Sequence, residues 1–311
     1  MMTIYKSTQE GIEEIHGFQK DCWVNLVDPT KQELDTMVQD LHIPLDFLTD
    51  PLDVDERARV EVENKITVMI LRVPIDEGEE ADIRFTTLPL GIIFTEELMV
   101  TICQRQTNII SNFIKGNVKN FSTMKSNRFL FQIFLKTALL YLSYLKEINK
   151  KSTATEKELH VAMKNEELIK LLNLEKSLVY FTTALKSDEL MIERLQKMDT
   201  IKMDVEDKDL LEDVTIEYKQ AIEMTNVYSN ILSGMMDAFA SVISNNLNVV
   251  LKFLTSVTII LMIPTLIASI YGMNLEDLPF KESPYAFLII MGISFILSII
   301  GVFVFMVRKW F

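Results

Sequence analysis

The chain has 311 residues, 49% of them hydrophobic, yet carries a formal net charge of −13, so its apolar and charged residues must be segregated. Over residues 249–311 the charges are Lys252, Lys281, Arg308 and Lys309 against Glu276, Asp277 and Glu282, +4 − 3 = +1, which leaves −13 − 1 = −14 on residues 1–248. Such an acidic front part lacks the basic patches that nucleic acid requires, and suits cations or a membrane as partners. Cys22 and Cys103 are far apart and offer neither a disulfide framework nor a thiolate zinc site. His16, His42 and His160 are isolated and read as structural or exposed, and the nine glycines are too dispersed to cradle a phosphate. No nucleophile–base or acid–base set stands out, so the chain does not read as an enzyme, and no organic cofactor is implied. Residues 1–20 lack the apolar stretch of a secretory signal.

In chain order, residues 1–115 mix strand and helix signals and read as a cytosolic α/β domain. Residues 22–27 (CWVNLV) predict a strand, after which Asp28-Pro29-Thr30 opens the helix KQELDTMVQDL. Further strands are expected at 66–73, 83–87, 91–94 and 98–103. Every proline before the apolar C-terminal part lies at or before Pro89, and from residue 108 to 270 only Gly116, Gly234 and Pro264 interrupt a Leu-, Lys-, Glu- and Met-rich sequence, which favours long helices. Residues 116–204 are therefore read as a cytosolic helical region. Tyr228, Leu232, Met235, Phe239 and Val242 then recur at heptad spacing, and no stop precedes Ile270. A helix over 205–270 would be about 100 Å long at 1.5 Å per residue, projecting from the membrane as a stalk (205–252) continuous with a first span.

Two uncharged apolar runs follow, 18 residues at 253–270 and 23 at 285–307. A bilayer core of about 30 Å needs about 20 helical residues, so both read as spanning helices rather than buried core helices. The connector, 271–284, is short, so both ends of the chain share one side. Lys252, Arg308 and Lys309 flank that side, which the positive-inside rule makes cytoplasmic; the acidic connector looks outward and 308–311 form a cytosolic tail. Pro264 lies inside the first run, where neighbouring helices can satisfy the freed carbonyl.

A second stripe runs down the long helix: Asp237, Ser241, Ser244, Asn248, Leu251, Thr255, Thr258, Met262, Thr265 and Ser269. Eight of these ten are polar, and the last five lie within the apolar run. Polar groups at that depth either line a water-filled cavity or pack helices together through small hydroxyl residues. The alignment with a carboxylate and an amide at the cytosolic mouth favours a pore.

The first run ends in Tyr271-Gly272-Met273-Asn274, followed by a short acidic connector and a second terminal span. This resembles the CorA family of divalent-cation channels, whose signature is Gly-Met-Asn after the first of two C-terminal spans. Asn248, Leu254-Thr255, the proline-bearing span and the terminal basic-aromatic group appear in family order, and residues 48–64 (LTDPLDVDERARVEVEN) look like the family's acidic-arginine segment. The chain is thus expected to be an α+β membrane protein of the cell membrane, a homopentamer passing hydrated Mg2+, with Co2+ and Ni2+ as further candidates. The resemblance carries the outer selectivity ring onto Gly272, Met273 and Asn274. It carries the pore lining and gate onto Asp237, Asn248, Leu251, Leu254, Met262 and Thr265, where rings of Leu and Met would exclude water; without it, plain packing is the default for Leu251, Leu254 and Met262.

It further implies a regulatory Mg2+ site between protomers, formed by Asp213 of the stalk with Asp76 or Glu77; a solvated acidic surface is the plain alternative. Five acidic cytosolic parts would repel one another, and bound Mg2+ would relieve this. The sequence departs from the family at Leu251 (often Met), at Ser269 (often Gly) and at Phe280, where an acidic residue usually follows the proline. Glu276, Asp277 and Glu282 are left to attract cations. The zinc-transporting branch of the superfamily, and a non-conducting scaffold or metal sensor, are the competing readings.

Overall fold

The computed structural model describes residues 1–9, 11–162, 165–198, 203–274, 278–280 and 283–308, without side-chain detail at 160–162. It divides into two compact units, Met1–Met235 and Met236–Phe311.

The first unit is built on a seven-stranded sheet of order β2-β1-β3-β7-β6-β5-β4, with β1 Met2–Ser7, β2 Ile12–Glu14, β3 Trp23–Val27, β4 Arg59–Glu63, β5 Ile66–Asp76, β6 Phe85–Phe94 and β7 Met99–Cys103. Only the β3–β7 pair is parallel; the other pairs are antiparallel. Both faces of the sheet are covered, so the central strands read as near-continuous apolar runs. On one face Val24, Leu26, Val68, Ile70, Ile93, Val100 and Ile102 pack with Met37, Ile43, Phe47 and Leu48, which come from α1 Lys31–Leu41, α2 Leu45–Thr49 and the loop between them. Helix α1 starts as expected: the Thr30 hydroxyl accepts the Glu33 N–H while the Glu33 carboxylate accepts the Thr30 N–H, a reciprocal cap. A β-carbon on Gly91 of β6 would fall 2.4 Å from Pro51, so the strand needs glycine there.

The other face carries α3 Asn108–Ile114, α4 Ser126–Ala162 and α5 Asn165–Gln196. Trp23 donates its indole N–H to Thr101 at 2.7 Å and sits 5.0 Å, edge to face, from Phe129, which also meets Phe113 and Phe121. Helix α5 closes the sheet near β4. Pairing of β4 with β5 ends at Arg59↔Ile70. Two residues on, the Arg72 N–H is taken by Asp188 Oδ1 at 2.9 Å and its C=O by the Tyr141 hydroxyl at 2.9 Å, so buried backbone groups past the end of the ladder keep partners.

Three expectations shift. The segments 83–87 and 91–94 are one strand, β6, which runs through Pro89 because pairing with β7 begins only at Leu90↔Cys103. β1, β2 and β4 were not anticipated; β2 and β4 are the two edge strands, and β4 alternates Val with exposed Glu. The α/β reading of the N-terminal domain resolves into a mixed, mainly antiparallel sheet.

Helix α6 runs unbroken from Val205 to Tyr271, including Pro264. In its first-unit part Leu211, Val214, Tyr218, Ala221, Thr225 and Leu232 are buried. In the second unit it is joined by α7 Ala286–Val307, whose Gly301 lies beside Ile260 and Ile263 of α6. These are two helices long and apolar enough to cross a membrane, with only 6% of the most apolar stretch of each buried. Helix α4 also meets those criteria of length and apolarity, but 67% of its stretch is buried in the first unit.

Candidate functional site

In the second unit the half-buried or buried positions of α6 beyond Leu254 are Ser256, Val257, Ile260, Ile263, Pro264, Ile267 and Tyr271. This face is turned to α7: a β-carbon added at Gly301 would lie 3.5 Å from Ile263 and 3.7 Å from Ile260, so small residues let the two helices approach. The ten residues of the polar stripe, from Asp237 to Ser269, are all exposed. At about 100° per residue they occupy roughly a third of the helix circumference, centred opposite the α7-facing side. The structure thus brings Asp237, Asn248, Leu251, Leu254, Met262 and Thr265 onto one free face of α6, and the stripe is not used to pack the hairpin.

The hydroxyls on that face are partly satisfied within the helix. Ser241, Thr258, Thr265 and Ser269 each donate to the carbonyl four residues back, at 3.0, 2.8, 3.0 and 2.8 Å. This removes the donor penalty and leaves acceptor lone pairs outward. An Asp237 carboxylate has no donor to give to a carbonyl, and Asp237 and Asn248 lie on the same exposed line.

At the end of α6 the Gly272 N–H donates to Ala268 O at 2.9 Å and the Met273 N–H to Ile270 O at 3.2 Å, so the helix tightens as it stops. A β-carbon at Gly272 would crowd the Ala268 carbonyl at 3.3 Å. The Tyr271 hydroxyl donates to Pro279 O at 3.1 Å, tying the returning chain to the helix end. Gly272, Met273 and Asn274 are exposed there, offering carbonyl and amide oxygens. Glu276, Asp277, Glu282 and Lys309 lie outside the described residues.

In the first unit the acidic connection between β5 and β6 is a hairpin closed by Asp76↔Phe85. Asp76 is held by Arg84 through two bonds of 2.7 Å, Nε to Oδ1 and Nη2 to Oδ2, and Oδ1 also accepts the Gly78 N–H at 2.9 Å. Arg84 reaches Glu79 and Glu147 at 2.9 Å each and stacks over Phe85 at 5.0 Å. Glu77 is gripped by both Nη atoms of Arg105 and accepts the Thr86 hydroxyl at 2.9 Å. The Arg84 guanidinium holds the Asp76 carboxyl below its usual range, and Arg105 does the same to Glu77. Asp213 is exposed on α6 and makes no ion pair among the described residues. These oxygens are right in kind for Mg2+, but among the described residues of one chain no three metal-ligating side chains converge.

Arg84 and Arg105 were not anticipated as partners, although a hairpin starting near residue 83 puts Arg84 across from the acidic residues. Asp188 was missed as well. It lies on the apolar line of α5 between Leu185 and Ile192, and burial pushes its carboxyl well above the ordinary value against the Arg72 N–H and guanidinium.

The description "CorA-like Mg2+ transporter protein" belongs to a family model that matches residues 18–309. The Cobalt/magnesium transport protein CorA of Methanocaldococcus jannaschii is 27% identical over 297 residues, covering 93% of this chain and 90% of that protein. The complete structure of the CorA magnesium transporter from the same organism superposes with a TM-score of 0.86 at 26% identity, covering 100% and 99% of the two chains. The ZntB cytoplasmic domain from Vibrio parahaemolyticus shares the fold at 13% identity, with a TM-score of 0.59 over 78% of this chain and 96% of that one. With nearly its whole length matched, the chain belongs to the CorA family, whose members are ion transporters and not enzymes.

Proposed function

We propose that this protein is a passive channel through which hydrated Mg2+ crosses the cell membrane down its electrochemical gradient, with Co2+ as a second cargo. The observation that carries this is the exposed polar face of α6 directly opposite its contact with α7. A two-helix chain cannot enclose a pore, so copies must assemble with these faces toward a common axis, and the family resemblance supports five of them. The two spans return the chain to its starting side, and Lys252, Arg308 and Lys309 mark that side as cytoplasmic.

Ions would enter past Asn274 and the Gly272 carbonyl, which can hold the waters of a cation that gives up its hydration shell reluctantly. Thr265 and Thr258 would pass the hydrated ion inward. Met262, Leu254 and Leu251 would close the pore by dewetting when their rings draw together, and Asn248 and Asp237 would receive the ion at the cytosolic mouth. Two charges moving through 100 mV gain about 4.6 kcal/mol, enough to drive uptake without a nucleotide. Cytosolic metal bound by Asp213 with Asp76 or Glu77 of a neighbouring protomer would hold the ring shut. Such a site would take its ligands from two chains.

The test is Mg2+ uptake into liposomes, read with an enclosed fluorescent indicator, by the intact protein beside Asn274→Ala. Uptake that depends on membrane potential and falls at least tenfold in the variant is expected. Equal rates would remove Asn274 from the selectivity ring, and no flux with any divalent ion would favour a non-conducting scaffold or sensor. Faster Zn2+ than Mg2+ flux would favour the zinc-transporting branch.

A further inference from the structure

The acidic loop that reads as a metal sensor already contains cations. Asp76, Glu77, Glu79 and Glu147 contribute −4, and Arg84, Arg105 and Lys151, all ion-paired to them, contribute +3, leaving −4 + 3 = −1. Both oxygens of Asp76 are taken by Arg84 and both oxygens of Glu77 by Arg105. A forked arginine–carboxylate pair puts a fixed positive charge where a bound cation would sit, and it is strong because guanidinium and carboxylate match in shape and the fork is rigid. Arg84 is further fixed by its position over Phe85 and by 16% side-chain exposure.

We infer that Arg84 and Arg105 are tethered counter-cations that compete with divalent metal for Asp76 and Glu77, raising the cytosolic metal concentration at which that loop is occupied. The inference rests on the reading of the loop as the sensing site. A divalent ion approaching Asp76 or Glu77, directly or through its waters, meets a carboxylate whose charge is already paired with a guanidinium tethered beside it. Asp213 has no such competitor among the described residues, so the two halves of the sensor differ: the stalk carboxylate is open, and the loop carboxylates are closed by their own chain. Metal binding then exchanges one set of ion pairs for another, and its cost is set by the arginines rather than by the acidic composition.

The experiment is Mn2+ binding to the intact, detergent-solubilised protein followed by electron paramagnetic resonance, with Mg2+ as competitor. Arg84→Gln with Arg105→Gln is expected to lower the apparent Kd about tenfold, on the order of losing one to two partly exposed ion pairs. Adding Asp76→Asn and Glu77→Gln to those changes should abolish the gain, and Arg84→Lys with Arg105→Lys, which keeps the charge but not the fork, should return the affinity only part of the way toward the wild type. Arg105 is about half exposed, so Arg105→Gln alone, which leaves the buried contacts of Arg84 intact, should still tighten binding about threefold. Unchanged affinity in both glutamine variants, with weaker binding after Asp76→Asn and Glu77→Gln in the wild type, would overturn the competition and leave the sensing site standing. If neither the arginine nor the carboxylate changes alter binding, the loop is not a metal site and both ideas fall.

Discussion

The two units solve opposite solvent problems with the same residue types. In Met1–Met235 the fully buried side chains include Trp23, Phe85, Phe113 and Phe129. In Met236–Phe311, among the described residues, Phe287, Phe295, Phe303 and Leu261 stand exposed, and the buried positions include Ser256 and Ser294. Water drives aromatic rings inward in the first unit. In the second the surroundings are as apolar as the side chains, so burial selects small residues that let helices approach. Helix α4 sharpens the lesson: it is long and apolar enough to span a bilayer, yet two thirds of its most apolar stretch is covered by its own unit. Apolar length identifies a candidate, and burial decides which solvent it faces.

The largest test of this contrast is in the soluble core. Phe129→Ala removes a ring in contact with Trp23, Phe113 and Phe121 and is expected to cost about 3–5 kcal/mol, seen as a lower melting temperature of the purified protein. Phe295→Ala, at an exposed ring in the second unit, should leave the melting temperature within a degree or two.

Next is a charge placed on each side of the second unit. Phe295→Asp is expected to cost about 2.5–3.5 kcal/mol of membrane insertion, measured as a fall in membrane-integrated protein. Thr258→Asp, on the exposed stripe, should integrate near the wild-type level if that face meets water. Equal losses from both would mean that the stripe faces lipid.

The smallest effect concerns Asp188. Asp188→Ala strips the Arg72 N–H of its partner and should cost about 1–3 kcal/mol. Because burial raises its pKa in the folded protein, the folded state keeps a proton that the unfolded chain gives up above about pH 4. Stability from this group is therefore full below about pH 4 and declines as pH rises toward the raised value. Asp188→Asn, which stays neutral, should equal the wild type near pH 4 and exceed it increasingly toward pH 8 in thermal melts. A pH-independent gap would mean that the folded protein does not hold Asp188 protonated above the unfolded value.

Legibility followed locality. The Thr30 cap, the strand cores and the ends of α6 and α7 were readable, because each depends on neighbours in sequence or on helical period. β4 was not, since an edge strand alternating Val with Glu carries a weak signal that only pairing with β5 completes. The polar stripe was visible as spacing, but whether it packed the hairpin was not, since that depends on which side of α6 meets α7. Nor was the pairing of the acidic loop with arginine, because Arg105 comes to Glu77 from 28 positions away.

By itself, the sequence determined the charge segregation, the 67-residue helix α6, the second apolar helix and the Tyr-Gly-Met-Asn ending, because composition and period act through short-range physics. Tertiary structure alone decided which of three apolar helices is buried, which face of α6 remains free, and which carboxylates already hold an arginine. Those are questions of what lies beside each side chain, and a linear order does not contain its neighbours in space.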